Sequence, residues 1–185
     1  SDERRVTSDE HFITSNAKQS QITQYAIRNT QYEKVWLSGN IGNEPLLTTL
    51  EQIQVNDLVV LELSSFQLEQ LAQIQRSPKV ALLTNLTANH LDRYGAFANY
   101  CIAKENIFKY QQLDENCPAV SIFNAEDKIA TEWFEKYKNE AGRICIKFST
   151  DDVSQEIRNI FSLPGRANLS NPAAPTVIAK YFGID

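Results

Sequence analysis

The 185-residue sequence predicts an α/β fold, a doubly wound, mostly parallel sheet flanked by helices. Three observations predict it. Apolar runs of strand length alternate along the chain with longer segments of helical period. One run, LVVLEL at residues 58–63, is continuous except at Glu62, as in a strand buried on both faces of a parallel sheet. Polar residues follow each run, and α/β sheets gather their ligands beyond the carboxyl ends of the strands. Alternating strands and helices imply right-handed βαβ units.

Residues 1–11 are charged and read as an extension or linker, with one domain over 12–185. Phe12 and Ile13 begin a short strand. Small and polar residues with Lys18 follow, then a helical pattern at Ile22, Tyr25 and Ala26. Strand, loop, lysine and helix in that order suit a phosphate cradle, with Ser20 two residues beyond the lysine. An ordinary polar turn reads the same way, because Ser15 and Ala17 stand where such a cradle has glycines.

The next strand covers 34–37, followed by the turn SGNIG and a helix from near Pro45, a residue suited to a first helical turn. Asn40 is either a turn residue with positive φ or a side chain aimed at a ligand. After LVVLEL, Ser64 or Ser65 N-caps a helix with Leu68, Leu71 and Ile74 on one face. Ser77-Pro78 ends it. KVALLTNL is a buried strand ending at Asn85, and the stretch 87–113 is loop and then helix, with the apolar stripe Tyr100, Ala103, Ile107 and Phe108. AVSIF ends at Asn124 and precedes a helix from Asp127. RICIKFST is one more strand, followed by a short charged connection, a Gly-Arg turn and a last helix ending at Gly183.

Composition bounds the function. At 42% hydrophobic and 22% charged the chain has the makings of a packed core. A net charge of −5 gives no basic footprint for nucleic acid, so an anionic ligand needs a local positive device. Three cysteines without a CxxC pair suit a reduced, cytoplasmic protein with buried thiols. No signal peptide and no membrane-length apolar run are evident, and a monomer without nucleic-acid or membrane partner is expected. Methionine is absent, even at position 1. The chain therefore starts inside a longer protein, is processed, or is an edited or designed sequence.

Three residues are chemically unusual for their places. Glu62 at a buried strand end either forms a salt bridge or an N-cap interaction with the following helix, or binds a hard cation such as magnesium. His90, one of two histidines, is either a surface cap or a ligand. Lys104 beside an apolar stripe either snorkels to water or is carbamylated by carbon dioxide, which makes it an anionic oxygen ligand. Together they suit metal-assisted phosphoryl transfer.

The segments LSGNIGNEPLL (37–47), ELSSFQLE (62–69), TNLTANHLDRYG (84–95), YCIAKENIF (100–108) and LPGRANLSNPAA (163–174) resemble the central domain of the Mur ligases. The similarity covers roughly residues 12–184 and is nearest the branch that adds D-glutamate to UDP-N-acetylmuramoyl-L-alanine. That resemblance implies an ATP- and Mg2+-binding domain acting through an acyl phosphate in peptidoglycan synthesis. It implies Lys18 as the phosphate-loop lysine, Glu62 and His90 as magnesium ligands, and Lys104 as the carbamylated lysine. Asn40, Ser64 and Gln67 would face the muramoyl substrate, Ser20, Asn168 and Asn171 the nucleotide, and Asn124 with Asp127 the adenosine.

The departures lie on the nucleotide side. A family loop like TGTNGKTT is replaced by TSNAKQS, where side chains crowd the backbone's approach to phosphate. Asn89 and Ala167 stand where aspartate and histidine are usual. The N-terminal UDP-binding and the C-terminal domains are not part of the sequence. The readings left open are a fragment or divergent copy of the ligase, a degenerate non-catalytic domain for binding or scaffolding, and an engineered stand-alone α/β domain.

Overall fold

The computed structural model describes residues 32–40, 46–87, 91–160 and 166–183. Five strands, β1 (Val35–Gly39), β2 (Leu58–Glu62), β3 (Val80–Leu83), β4 (Ala119–Asn124) and β5 (Arg143–Phe148), pair only in parallel among these residues. The α/β class is as predicted, with the described strands divided into a β1–β2 pair and a β3–β4–β5 sheet. The strand and helix predicted over residues 12–31 lie outside the described residues.

Between the strands run α1 (Leu46–Thr49), α2 (Ser65–Ile74), α3 (Leu91–Tyr94), α4 (Phe97–Lys109) and α5 (Lys128–Tyr137). After β5 come α6 (Gln155–Ile160) and α7 (Arg166–Phe182). The charged connection after β5 thus holds a short helix, preceded by a 3-10 turn that Ser149 and Asp152 close as a capping box.

The three-stranded sheet is covered on both faces because β4 is apolar on both. All six of its residues are buried. Ala81, Leu83 and Phe123 pack against Ala103 and Phe108 of α4 and Trp133 and Tyr137 of α5. Val120, Ile122 and Phe148 face Val153 and the Ala173, Ala174 and Val177 of α7. The rings of Phe108 and Phe123 lie 4.4 Å apart and are fully buried. Burial of each contributes roughly 2–3 kcal/mol.

A polar cluster fixes the amino-terminal edge of this sheet. Arg143 Nη1 donates to Gln111 Oε1 (2.6 Å) and Ser121 Oγ (2.7 Å), and Nη2 to the Phe108 carbonyl (3.1 Å). Gln111 Nε2 in turn donates to the Pro78, Lys79 and Val120 carbonyls, each at 3.0 Å. A buried guanidinium is tolerable only when its donors are satisfied in this way. With one end of the sheet tied off, chemistry is left to the carboxyl edge.

Two expectations need correction. Residues 58–63 do not form a strand buried on both faces: Val60 is 39% exposed and Leu61 36%. Continuous apolar sequence marks a capacity for burial, and among the described residues β2 pairs with β1 alone. The face of α2 also ends early, since Leu68 is buried but Ile74 is 64% exposed.

Candidate active site

The register of the β1–β2 pair sets Gly39 beside Glu62, and the Asn40 N–H donates to the Glu62 carbonyl at 2.7 Å. Gly39 has φ +99°, and a Cβ there would sit 2.1 Å from that same carbonyl oxygen. Only glycine fits this approach. Positive φ, one option for Asn40, therefore falls on its neighbour. Among the described residues Gln75 is the one non-glycine with positive φ, and the Asn40 side chain is exposed.

Glu62 is exposed at the end of β2, so it is no buried charge in want of a partner. Its carboxylate enters no salt bridge among the described residues. Directly after it the chain turns into α2 through a capping box. Ser64 Oγ accepts from the Gln67 N–H at 3.3 Å, while Gln67 Oε1 accepts from the Ser64 N–H at 2.8 Å. Ser64 and Gln67, assigned above to substrate, thus first hold the helix start.

Lys104 reaches this corner from α4. It is half-buried, and burial drives its ammonium below the ordinary lysine range, against the opposing pull of the Glu62 charge. Strand end and helix thus place the two predicted metal-side residues in one electrostatic neighbourhood. One turn earlier on α4, Cys101 is pushed up by burial, then by the negative charges of Asp127 and Glu105.

The end of β4 is a closed knot of backbone contacts. Asn124 Nδ2 donates to the Thr84 carbonyl at 2.7 Å and its Oδ1 accepts from the Glu126 N–H at 2.8 Å. Asp127 N-caps α5, with Oδ1 accepting from the Ala130 N–H (2.9 Å) and Oδ2 from the Leu86 N–H (2.7 Å). Both residues pin the loop after β3 to β4. Asn171 is exposed on α7; Asn168 falls in α7, its side chain outside the described part. Lys18, Ser20 and His90 lie outside the described residues. Among the described residues no group of three or more His, Cys, Asp or Glu could hold a metal ion, and no helix is long and apolar enough to cross a membrane.

Sequence reasoning passed over Gly39, which was legible as the glycine of a Ser-Gly-Asn turn at a strand end.

The Mur ligase middle domain family matches residues 10–169. The UDP-N-acetylmuramoylalanine–D-glutamate ligase of Clostridium tetani is 42% identical over 132 residues, which cover 71% of this chain and 26% of that protein. The ligase of the same name from Clostridium botulinum strain Langeland is 33% identical over 179 residues, 87% of this chain and 36% of the relative. A crystal structure of MurF from Acinetobacter baumannii aligns over 72% of this chain and 35% of that one, at 18% identity and a TM-score of 0.42. The chain thus spans roughly a quarter to a third of the length of these curated relatives. With its family match over most of the length, the chain belongs to the Mur ligases, as their middle domain.

Proposed function

We propose that this chain is the ATP- and magnesium-binding middle domain of a ligase that adds D-glutamate to UDP-N-acetylmuramoyl-L-alanine through an acyl phosphate. The observation that carries the reading is the middle-domain family match in a chain whose relatives bear that enzyme's name, with Glu62 at the carboxyl end of a parallel strand. The whole reaction draws on surfaces beyond this stretch, with the UDP-binding and C-terminal domains supplied elsewhere in the enzyme. Such an enzyme works in the cytoplasm.

The chemistry of the donors fits a hard divalent ion. Glu62 offers carboxylate oxygens from a strand end whose backbone is fixed by Gly39 and Asn40. Burial enlarges the neutral fraction of Lys104, the form that captures carbon dioxide, and the resulting carbamate would offer a second oxygen donor. Two anions side by side repel unless a cation lies between them, so magnesium and carbamate would reinforce each other. His90 would complete the ligand set. Magnesium, when bound, supplies charge neutralisation for phosphate oxygens. Lys18 and Ser20 would meet those phosphates, with Asn168 and Asn171 on the nucleotide side. Asn124 and Asp127 would shape the adenosine edge through the backbone they hold, and Asn40, Ser64 and Gln67 would line the muramoyl side.

A non-catalytic binding domain is the second reading, favoured by the side chains of Ser15, Ala17 and Gln19 in the phosphate loop. Calorimetry with ATP and magnesium separates the two. Micromolar binding that is lost in Lys18→Ala supports the ligase domain, and no heat up to millimolar nucleotide removes it.

A further inference from the structure

We propose that Arg93 is a positioning residue that clamps α3, the helix beginning directly after His90, onto the first turn of α2. The inference rests on the metal reading of Glu62 and His90 above. The Arg93 guanidinium lies 4.2 Å over the Phe66 ring centroid, and its Nη2 is 3.0 Å from Glu69 Oε2. Phe66 and Glu69 are three residues apart on α2 and so share a face. Phe66 also sits between Ser64 and Gln67, inside the capping box that follows Glu62.

The adjacent residue grips the same ring. Tyr94 stacks on Phe66 with centroids 6.2 Å apart and planes inclined by 8°. Tyr94 also meets Tyr100 of α4, edge-on at 5.5 Å, and its carbonyl accepts from Asn99 Nδ2 at 2.9 Å. Consecutive residues of α3 therefore join the helix that follows Glu62 to the helix that carries Lys104. A planar guanidinium meets a ring face and a carboxylate at once, which an ammonium does not.

The plain alternative is an exposed ion pair. The side chains of Arg93 and Glu69 are 54% and 38% exposed, so the pair adds little to stability. That makes the test clean, because Arg93→Ala is expected to fold with a melting temperature within about 3 °C of the parent.

Manganese binding is followed on the 185-residue chain by the loss of the free-ion spin-resonance signal, with Glu62→Gln as the control for the metal site. If the parent binds and Glu62→Gln does not, Arg93→Ala is expected to weaken binding about tenfold, as removal of a residue that orients a ligand does. Affinity within twofold of the parent overturns the clamp and leaves the metal reading standing. No manganese binding by the parent removes the metal reading and this role with it. Amide exchange in the metal-free chain reads the clamp separately: exchange across residues 91–95 is expected at least fivefold faster in Arg93→Ala. Unchanged exchange there overturns the contact as a restraint.

Discussion

Replacing Gly39 by alanine tests the geometry that holds Glu62. The methyl group meets two separate penalties. At φ +99° an L-residue is outside its allowed regions, which costs of order 1–3 kcal/mol. The new Cβ would also stand 2.1 Å from the Glu62 carbonyl oxygen, and since that oxygen is backbone, β2 itself must shift. Overpacking of this kind adds about 1–3 kcal/mol, for a total of about 3 kcal/mol. Gly95 supplies the comparison: its φ is +69°, but nothing lies within 4 Å of an added Cβ. Gly95→Ala therefore carries the conformational penalty alone, about 1 kcal/mol. Urea unfolding of the two variants, read by far-ultraviolet circular dichroism with the slope held equal, measures the difference directly. Equal losses, or a Gly39→Ala loss below about 1 kcal/mol, would refute the close approach of β1 to Glu62.

Asp127→Ala is expected to lose about 2 kcal/mol in the same assay, one part for the α5 cap and one for the Leu86 N–H left without its acceptor. Gln111→Leu keeps most of the volume but strips the acceptor from Arg143 and Ser121, so about 3 kcal/mol is expected to be lost, and a neutral result would contradict the buried network. Lys104→Met has a pH signature. The folded Lys104 releases its proton below the ordinary lysine value of about 10.4, so between the two values the unfolded chain binds more protons and stability rises with pH. In buffer free of carbon dioxide and magnesium, where Lys104 keeps its free amine, the charged, half-buried lysine is therefore a liability at neutral pH that fades as pH climbs. Lys104→Met is expected to be more stable than the parent near pH 7, by a margin that narrows toward pH 10; a pH-independent margin argues against a lowered pKa.

Strand positions were legible because apolar runs bounded by polar residues have few other uses, and all five described strands fall where those runs stand. The helix cap was legible only as Ser64 or Ser65, and it is Ser64 that closes a capping box with Gln67. Helices α3 and α6 were missed, since four and six residues are too short to display a 3.6-residue period. The burial of β2 was misjudged because composition shows what a strand could bury and not which layers meet it. Asn124 and Asp127 show a different limit: polar residues at strand ends look alike whether they await a ligand or, as here, hold backbone amides and carbonyls. The nearness of Lys104 to Glu62 follows from no local pattern. It arises from the packing of α4 against α2; the two were grouped because each is a costly polar residue for its place, and the motif resemblance groups them too.

The proposed function makes Glu62 and Lys104 one metal corner in which the lysine would carry a carbamate. Carbon-13 spectroscopy of the chain in labelled bicarbonate, with and without magnesium, tests it most directly. The account predicts a carbamate carbonyl signal that strengthens with magnesium, vanishes in Lys104→Arg and weakens in Glu62→Gln. A spectrum showing only bicarbonate and carbon dioxide at every pH, with magnesium present, would contradict it.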